Sequence, residues 1–133
     1  MEYRTLPRGG ERISVIGLGG GYIGEGGEKE TRQALELAVS RGVNYFDLAM
    51  SEAVPFAAYG ETLRDQRKDI YYQLHFGAEY TTGKYGWTLN LEKIKKSVDW
   101  QLAMLKTDYI DFGFVHCIDE EADLRKAAEG GTL

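Results

Sequence analysis

His75 and His116 are the only imidazoles in this chain of 133 residues, and each stands where an apolar run gives way to a loop. The first lies in "YYQLHFG" and the second in "DFGFVHCID"; a third run, "VNYFDL", carries Asp47 near its end. An unperturbed imidazole titrates near pH 6.5, so it can give or take a proton at neutral pH, and a carboxylate beside it stabilises the charged form. If the three runs are strands, alternation of side chains places His116 on a face with Ile110, Phe112 and Phe114. It likewise places His75 with Tyr71 and Gln73, and Asp47 with Val43 and Tyr45. If those strands are parallel neighbours, their C-terminal ends share one rim, where α/β architectures collect ligands and catalytic groups. A histidine taken singly is more often a satisfied structural group, but three chemical side chains at three strand ends favour one acid–base site. Cys117 and Glu52 could add metal-binding donors to that set. The scattered spacing lacks any zinc signature, so no metal is expected.

The elements that must position these groups are legible in the pattern. "YRTL" and "RISVI" flank the turn-forming "PRGGE", which predicts a hairpin over residues 3–16. "EKETRQALELAVSRG" sets Ala34, Leu35, Ala38 and Val39 on one helical stripe, with Gly42 as a stop. "SEAVPFAAYGETLRDQ" places Pro55 where a first turn tolerates it, followed by Phe56, Tyr59 and Leu63 at helical spacing. Asn90 is a natural cap for a helix carrying Leu91, Ile94, Val98, Leu102 and Leu105. The stretch from Ala78 to Leu89 reads as a long loop, a length that is commonly functional. "DYIDFGFVH" is the last strand, and "EEADLRKAAEGG" a short amphipathic or frayed tail. Strand and helix thus alternate after the hairpin, which predicts an α/β fold with parallel strands and right-handed crossovers.

Glycine is concentrated near the start, in "GLGGGYIGEGG", within a chain of 17 glycines and only two prolines. Gly19, Gly21 and Gly24 satisfy G-x-G-x-x-G, and Asp47 follows 23 residues after Gly24. That is the outline of a dinucleotide-binding unit, but the motif needs a helix to start at its third glycine. Gly26 and Gly27 intervene, each at about 1 kcal/mol relative to alanine in a helix, so the helix is expected near Glu28 and the run is better read as a turn-rich connection.

Composition bounds the rest. A net charge of −5 without a Lys/Arg cluster argues against nucleic acid as a partner. One cysteine forms no internal disulfide, and no apolar run is long enough for a membrane span or a signal peptide, so a cytoplasmic location is expected. The length suits one domain over residues 1–133.

"MEYRTLPRGGERISVIGLGGG", "ALELAVSRGVNYFDLA" and "LKTDYIDFGFVH" resemble the N-terminal half of the aldo-keto reductases, (β/α)8-barrel enzymes that reduce carbonyls with NADPH. The resemblance runs from Met1 to about Asp119 and is most specific around Tyr109 to His116. It implies a hairpin followed by about four parallel β/α units, half of a TIM barrel. It also implies NADP as cofactor, a small-molecule carbonyl substrate, and Gly20, Gly21 and Tyr22 near the nicotinamide. Such reductases use an Asp, Tyr, Lys and His set. Asp47 in "YFDLA" and His116 in "FVH" match it. "LAMSEAVPF" has Ser51 and Glu52 but no tyrosine, and His75 stands where the lysine is expected. The departure points to a histidine acid, His75 or His116, supported by Asp47, with Tyr22, Tyr59, Tyr80 and Tyr85 as other phenols that could serve. "PFAAYGETL" and "YYQLHFGAEY" also resemble a branch whose longer members carry a C-terminal iron–sulfur domain. A lone Cys117 cannot hold a cluster that takes four thiolates.

A barrel of this kind usually takes about 250 residues. The chain is therefore expected to form an open half-barrel that is inactive alone, binds NADP weakly and self-associates through its edges. A non-catalytic half-barrel interaction module is the alternative.

Overall fold

The structure, a computed structural model, describes residues 1–132. Strands β1 (Tyr3–Thr5) and β2 (Arg12–Ser14) pair antiparallel with Tyr3 opposite Ser14. The chain then alternates through β3 (Leu18–Gly19), α1 (Gly27–Ser40), β4 (Tyr45–Asp47), α2 (Val54–Thr62) and a 3-10 turn (Arg64–Gln66) to β5 (Tyr71–Phe76). After β6 (Ala78–Glu79) and β7 (Gly86–Trp87) come α3 (Leu91–Leu105), β8 (Phe112–Val115) and α4 (Glu121–Glu129). Strands β3, β4, β5 and β8 form one parallel sheet in that order, as the alternation of strand and helix predicts.

Period-two alternation divides this sheet into two chemically different faces. Phe46, Tyr72 and Leu74 point at the helices, where they are fully buried with Leu35 of α1, Phe56 and Tyr59 of α2, and Leu105 of α3. Aromatic edges tie that core together: Phe46 meets Tyr59 at 6.0 Å and Tyr72 at 6.3 Å between centroids. Helices α2 and α3 cross so closely at Gly60 that a Cβ there would stand 2.2 Å from the Met104 carbonyl oxygen. The other face presents Tyr45, Asp47, Gln73, His75 and Phe112 in register: Asp47 lies opposite Gln73, and His75 opposite Phe114.

Three boundaries differ from the sequence reading. Of "RISVI", only Arg12–Ser14 is strand, and it pairs back onto β1; the first parallel strand is Leu18–Gly19, inside the glycine run. The cause is Asn44, whose amide takes Ser14 N–H at 2.8 Å and donates to the Arg12 carbonyl at 2.8 Å, holding β2 across the base of β4. The last strand is shorter than "DYIDFGFVH", because Tyr72 N–H donates to the Asp111 carboxylate, which also binds Arg67, and not to a backbone carbonyl. The stretch 78–89 is an antiparallel hairpin with Gly83 at φ +85. It is sewn to the β4–α2 connection by Ala53 N–H to Gly83 O and Tyr85 N–H to Ser51 O, both 3.0 Å. Helix α1 begins at Gly27, past the glycine motif, and α3 begins at the Asn90 cap, which accepts from Lys93 N–H at 3.0 Å. Among the described residues, no helix is long and apolar enough to cross a membrane.

Candidate functional site

Parallel pairing of β4, β5 and β8 brings Asp47, His75 and His116 to one rim, on the face turned away from the helices. Asp47 Oδ1 lies 2.6 Å from His75 Nε2, and His75 Nδ1 lies 2.8 Å from His116 Nδ1. A carboxylate only accepts, so His75 Nε2 carries the proton shared with Asp47. In the neutral ring Nδ1 is then the acceptor, and His116 Nδ1–H donates to it. The bonding pattern fixes both tautomers and leaves His116 Nε2 with a lone pair and no protein partner among the described residues. A proton added there makes an imidazolium whose charge reaches Asp47 through His75. The two rings stand nearly perpendicular with centroids 4.7 Å apart.

The environment biases each group. The hydrogen bond from His75 holds Asp47 below the usual carboxylate range, against a partial desolvation that acts the other way. Burial pushes His116 below the ordinary imidazole value, His75 adds to that effect, and Asp47 and Asp119 oppose it. The His75 side chain is only 14% exposed, whereas Asp47 keeps 37%, so the pair is shielded at the imidazole and wetter at the carboxylate. Gln73 Nε2 sits 2.9 Å from His75 Nε2, and its amide oxygen meets the Tyr45 hydroxyl. With the proton on His75 Nε2, the amide suits this position better turned end for end, its oxygen facing His75 and its NH2 facing Tyr45.

Loop residues complete the rim. Trp87 Nε1–H donates to the His116 carbonyl at 2.9 Å, and His116 N–H donates to Phe76 O at 2.8 Å, so the His116 backbone is gripped from two sides. Tyr85 stands edge-on to His116 with centroids 5.7 Å apart. The other phenols are committed elsewhere. Tyr59 is buried on the helix side, the Tyr80 hydroxyl accepts from Met50 N–H at 3.0 Å, and Tyr22 is 81% exposed on the glycine turn. Gln73 was legible as a face neighbour of His75. Trp87 was not, because only the hairpin brings it back to the strand ends.

The cofactor candidates divide by chemistry. Gly20 is packed: its N–H donates to Asp47 O at 2.8 Å, and a Cβ there would stand 2.8 Å from Met50 Cγ. Gly21 faces nearly open space and Tyr22 offers an exposed ring, which fits a flat aromatic such as a nicotinamide. The start of α1 does not fit a pyrophosphate. Its first turn carries Glu28 and Glu30, and the Glu30 carboxylate folds back onto Gly26, so the helix dipole already faces its own negative charge. Among the described residues, no group of three or more His, Cys, Asp or Glu side chains could hold a metal ion.

Comparison with known proteins bears on the family and the fold. Residues 15–130 match the model of the aldo/keto reductase family. The oxidoreductase YqkF of Bacillus subtilis is 32% identical over 120 residues, covering 87% of this chain and 39% of the relative. L-galactose dehydrogenase of Arabidopsis thaliana is 29% identical over 133 residues, covering 91% and 39%. Among solved structures, an aldo-keto reductase from Bacillus halodurans in its holo form superposes with a TM-score of 0.78 at 25% identity, covering 98% of this chain and 45% of that one. A putative aldo-keto reductase from Pseudomonas aeruginosa gives 0.74 at 27%, covering 92% and 49%. The chain spans about 39% of the length of these curated relatives.

Proposed function

The chain belongs to the aldo/keto reductase family, and from that premise we propose that it forms the acid–base part of an NADP-dependent carbonyl reductase or alcohol dehydrogenase. The observation that carries this reading is the hydrogen-bonded sequence Asp47–His75–His116 at the C-terminal ends of adjacent parallel strands. The cofactor, when bound against Gly21 and Tyr22, supplies or accepts the hydride at the carbonyl carbon. His116 gives the proton from Nε2 to the carbonyl oxygen, completing the alcohol. His75 holds the other face of the His116 ring through Nδ1, and Asp47 stabilises the positive charge while His116 is loaded. In the oxidation direction the same lone pair takes the alcohol proton. The test is turnover of a panel of aldehydes and ketones with NADPH; activity indifferent to His116→Ala and Asp47→Asn would sink the reading.

Cofactor grip is the weak part of the chain taken alone. Gly21 and Tyr22 suit the nicotinamide end, whereas the acidic start of α1 repels phosphate. NADPH fluorescence titration of the 133-residue chain is expected to give a Kd of about 1 mM, near −4 kcal/mol. Micromolar binding, or binding unchanged by Tyr22→Ala, would contradict this.

The exposed inner face favours self-association as well. Strands β3 and β8 are both open edges, and a groove of about 690 Å3 between hairpin and sheet is lined by Ile13, Val15, Tyr45, Phe112 and Phe114. Apolar sheet faces with free edges recruit a further chain. Light scattering at micromolar concentration is expected to report a dimer or larger species. A monodisperse monomer would leave the interaction-module alternative without support.

A further inference from the structure

Four phenols other than Tyr85 can be set aside on contacts alone. Tyr59 and Tyr72 are buried between sheet and helices, Tyr80 is bonded to Met50 N–H, and Tyr45 is bonded to Gln73. Tyr85 differs in three respects. Its ring is walled by Tyr80 at 6.2 Å and by His116 at 5.7 Å, both edge-on. Its backbone is fixed by Tyr85 N–H to Ser51 O at 3.0 Å, and two residues on the Trp87 side chain ties the same hairpin to His116 O at 2.9 Å. It nevertheless remains 40% exposed, and Cys117, the residue after His116, lies near enough to bias its hydroxyl. Cys117 itself is exposed and adopts a left-handed φ of 53, which turns the chain immediately after His116.

We propose that Tyr85 is a substrate-positioning residue, whose hydroxyl donates to the same carbonyl oxygen that His116 protonates. Two donors on one oxygen hold the carbonyl with its carbon facing the cofactor side, and they polarise it before the proton moves. The tyrosine missing after Asp47 is thereby replaced in its holding function by a phenol from the β6–β7 hairpin, while the proton comes from imidazole. The Tyr85 hydroxyl is pushed up to about 12, first by burial and then by Cys117, so it stays protonated and donates without ionising. The inference rests on the carbonyl-reductase reading above and names a further group at that site.

Two histidines give two sets of imidazole resonances, so occupancy can be read by NMR without turnover. Acetophenone, a ketone that forms no stable imine with lysine under these conditions, is the probe. Its addition to the wild-type chain is expected to shift the His116 resonances. Tyr85→Phe is expected to weaken that binding about fivefold, the size of one neutral hydrogen bond. Cys117→Ala is expected to keep it, because the thiol takes no part in holding the ketone. If Tyr85 served only to pack beside Cys117, the two variants would behave alike, and that result overturns the proposal. So does a Tyr85→Phe variant that binds like wild type, or the absence of any shift in the wild type at millimolar ketone. Wild type that binds acetophenone yet never reduces a carbonyl with NADPH overturns the reductase reading and leaves the Tyr85 contact standing. In an active preparation, Tyr85→Phe should raise KM and leave the pH dependence set by His116 unchanged.

Discussion

His116→Ala is expected to lower carbonyl turnover by about 10²–10⁴-fold, the span that a positioned general acid contributes. The loss should fall on kcat and kcat/KM together, since the proton is delivered as charge builds on the oxygen. His75→Gln should cost less, because an amide can accept from His116 Nδ1 and hold the ring without relaying charge to Asp47. The pH dependence has a definite sign. Burial and His75 lower His116 below the ordinary value of 6.5. Reduction, which needs the imidazolium, should therefore gain as pH falls below 6.5, and oxidation, which needs the free ring, should persist into mildly acidic buffer. Stability runs the other way. A histidine whose folded value is depressed binds fewer protons folded than unfolded, so its contribution is complete above pH 6.5 and is lost as pH falls towards the folded value. Asp47 is also depressed, so its contribution is present above its unfolded value and is lost at lower pH as it protonates. Thermal melts from pH 8 to pH 2 should show both losses, the His116 part above pH 4 and the Asp47 part below it. In His116→Gln the part beginning near pH 6.5 should be absent, and a melt profile identical to wild type would refute the assignment.

Arg67→Ala is expected to destabilise the fold by about 3–5 kcal/mol. Arg67 is 8% exposed and makes four hydrogen bonds from one guanidinium. Nη2 reaches Asp111 Oδ2 at 2.9 Å and Tyr109 O at 3.0 Å, Nη1 reaches Ile70 O at 3.1 Å, and Nε reaches Thr107 Oγ1 at 3.0 Å. The Tyr109 and Tyr72 rings lie against it, with centroids 3.8 and 4.6 Å from Cζ. Truncation leaves the Asp111 carboxylate shielded without its cation and strands several carbonyls, which is the costly way to break such a pair. Melting should fall by roughly 10 °C or more for a domain of this size. Arg67→Lys should recover only part of it, since an ammonium cannot make the forked set. A fall under about 3 °C would contradict the role. The consequence reaches the site, because Arg67 braces the N-terminal ends of β5 and β8, the two strands whose register sets His75 beside His116. Arg67→Ala should therefore also disturb the His75–His116 resonances in the fraction that remains folded.

Elements with a strong local signal were legible in advance. The α3 stripe with its Asn90 cap, the Pro55 start of α2 and the apolar run of β5 each carry periodicity or a capping residue that needs no tertiary partner to express itself. Strand ends were harder. Val15 and Ile16 look like strand but lie outside β2, because Ser14 and Asn44 bond across the sheet base, and only Val15 N–H to Glu2 O carries on past it. The residues 78–89 carry no alternation long enough to predict two-residue strands, and their pairing is held by contacts to Ser51 and Ala53. Arg67 gave no sign of its role, since a charged residue in "RDQRKD" reads as solvated until Asp111 and two rings close on it.

The sequence by itself determined which residues could do acid–base chemistry and that they sit at strand ends; that a tyrosine and a lysine have no counterpart rests on the family resemblance. Spacing along one chain carries that much, because strand period and residue type are local properties. Tertiary structure alone decided that Asp47, His75 and His116 are bonded in series with defined tautomers, and that Tyr85 and Trp87 return to the same rim. Those facts depend on the register between separate strands and on a hairpin docked across them, where a shift of one residue would turn every side chain to the opposite face.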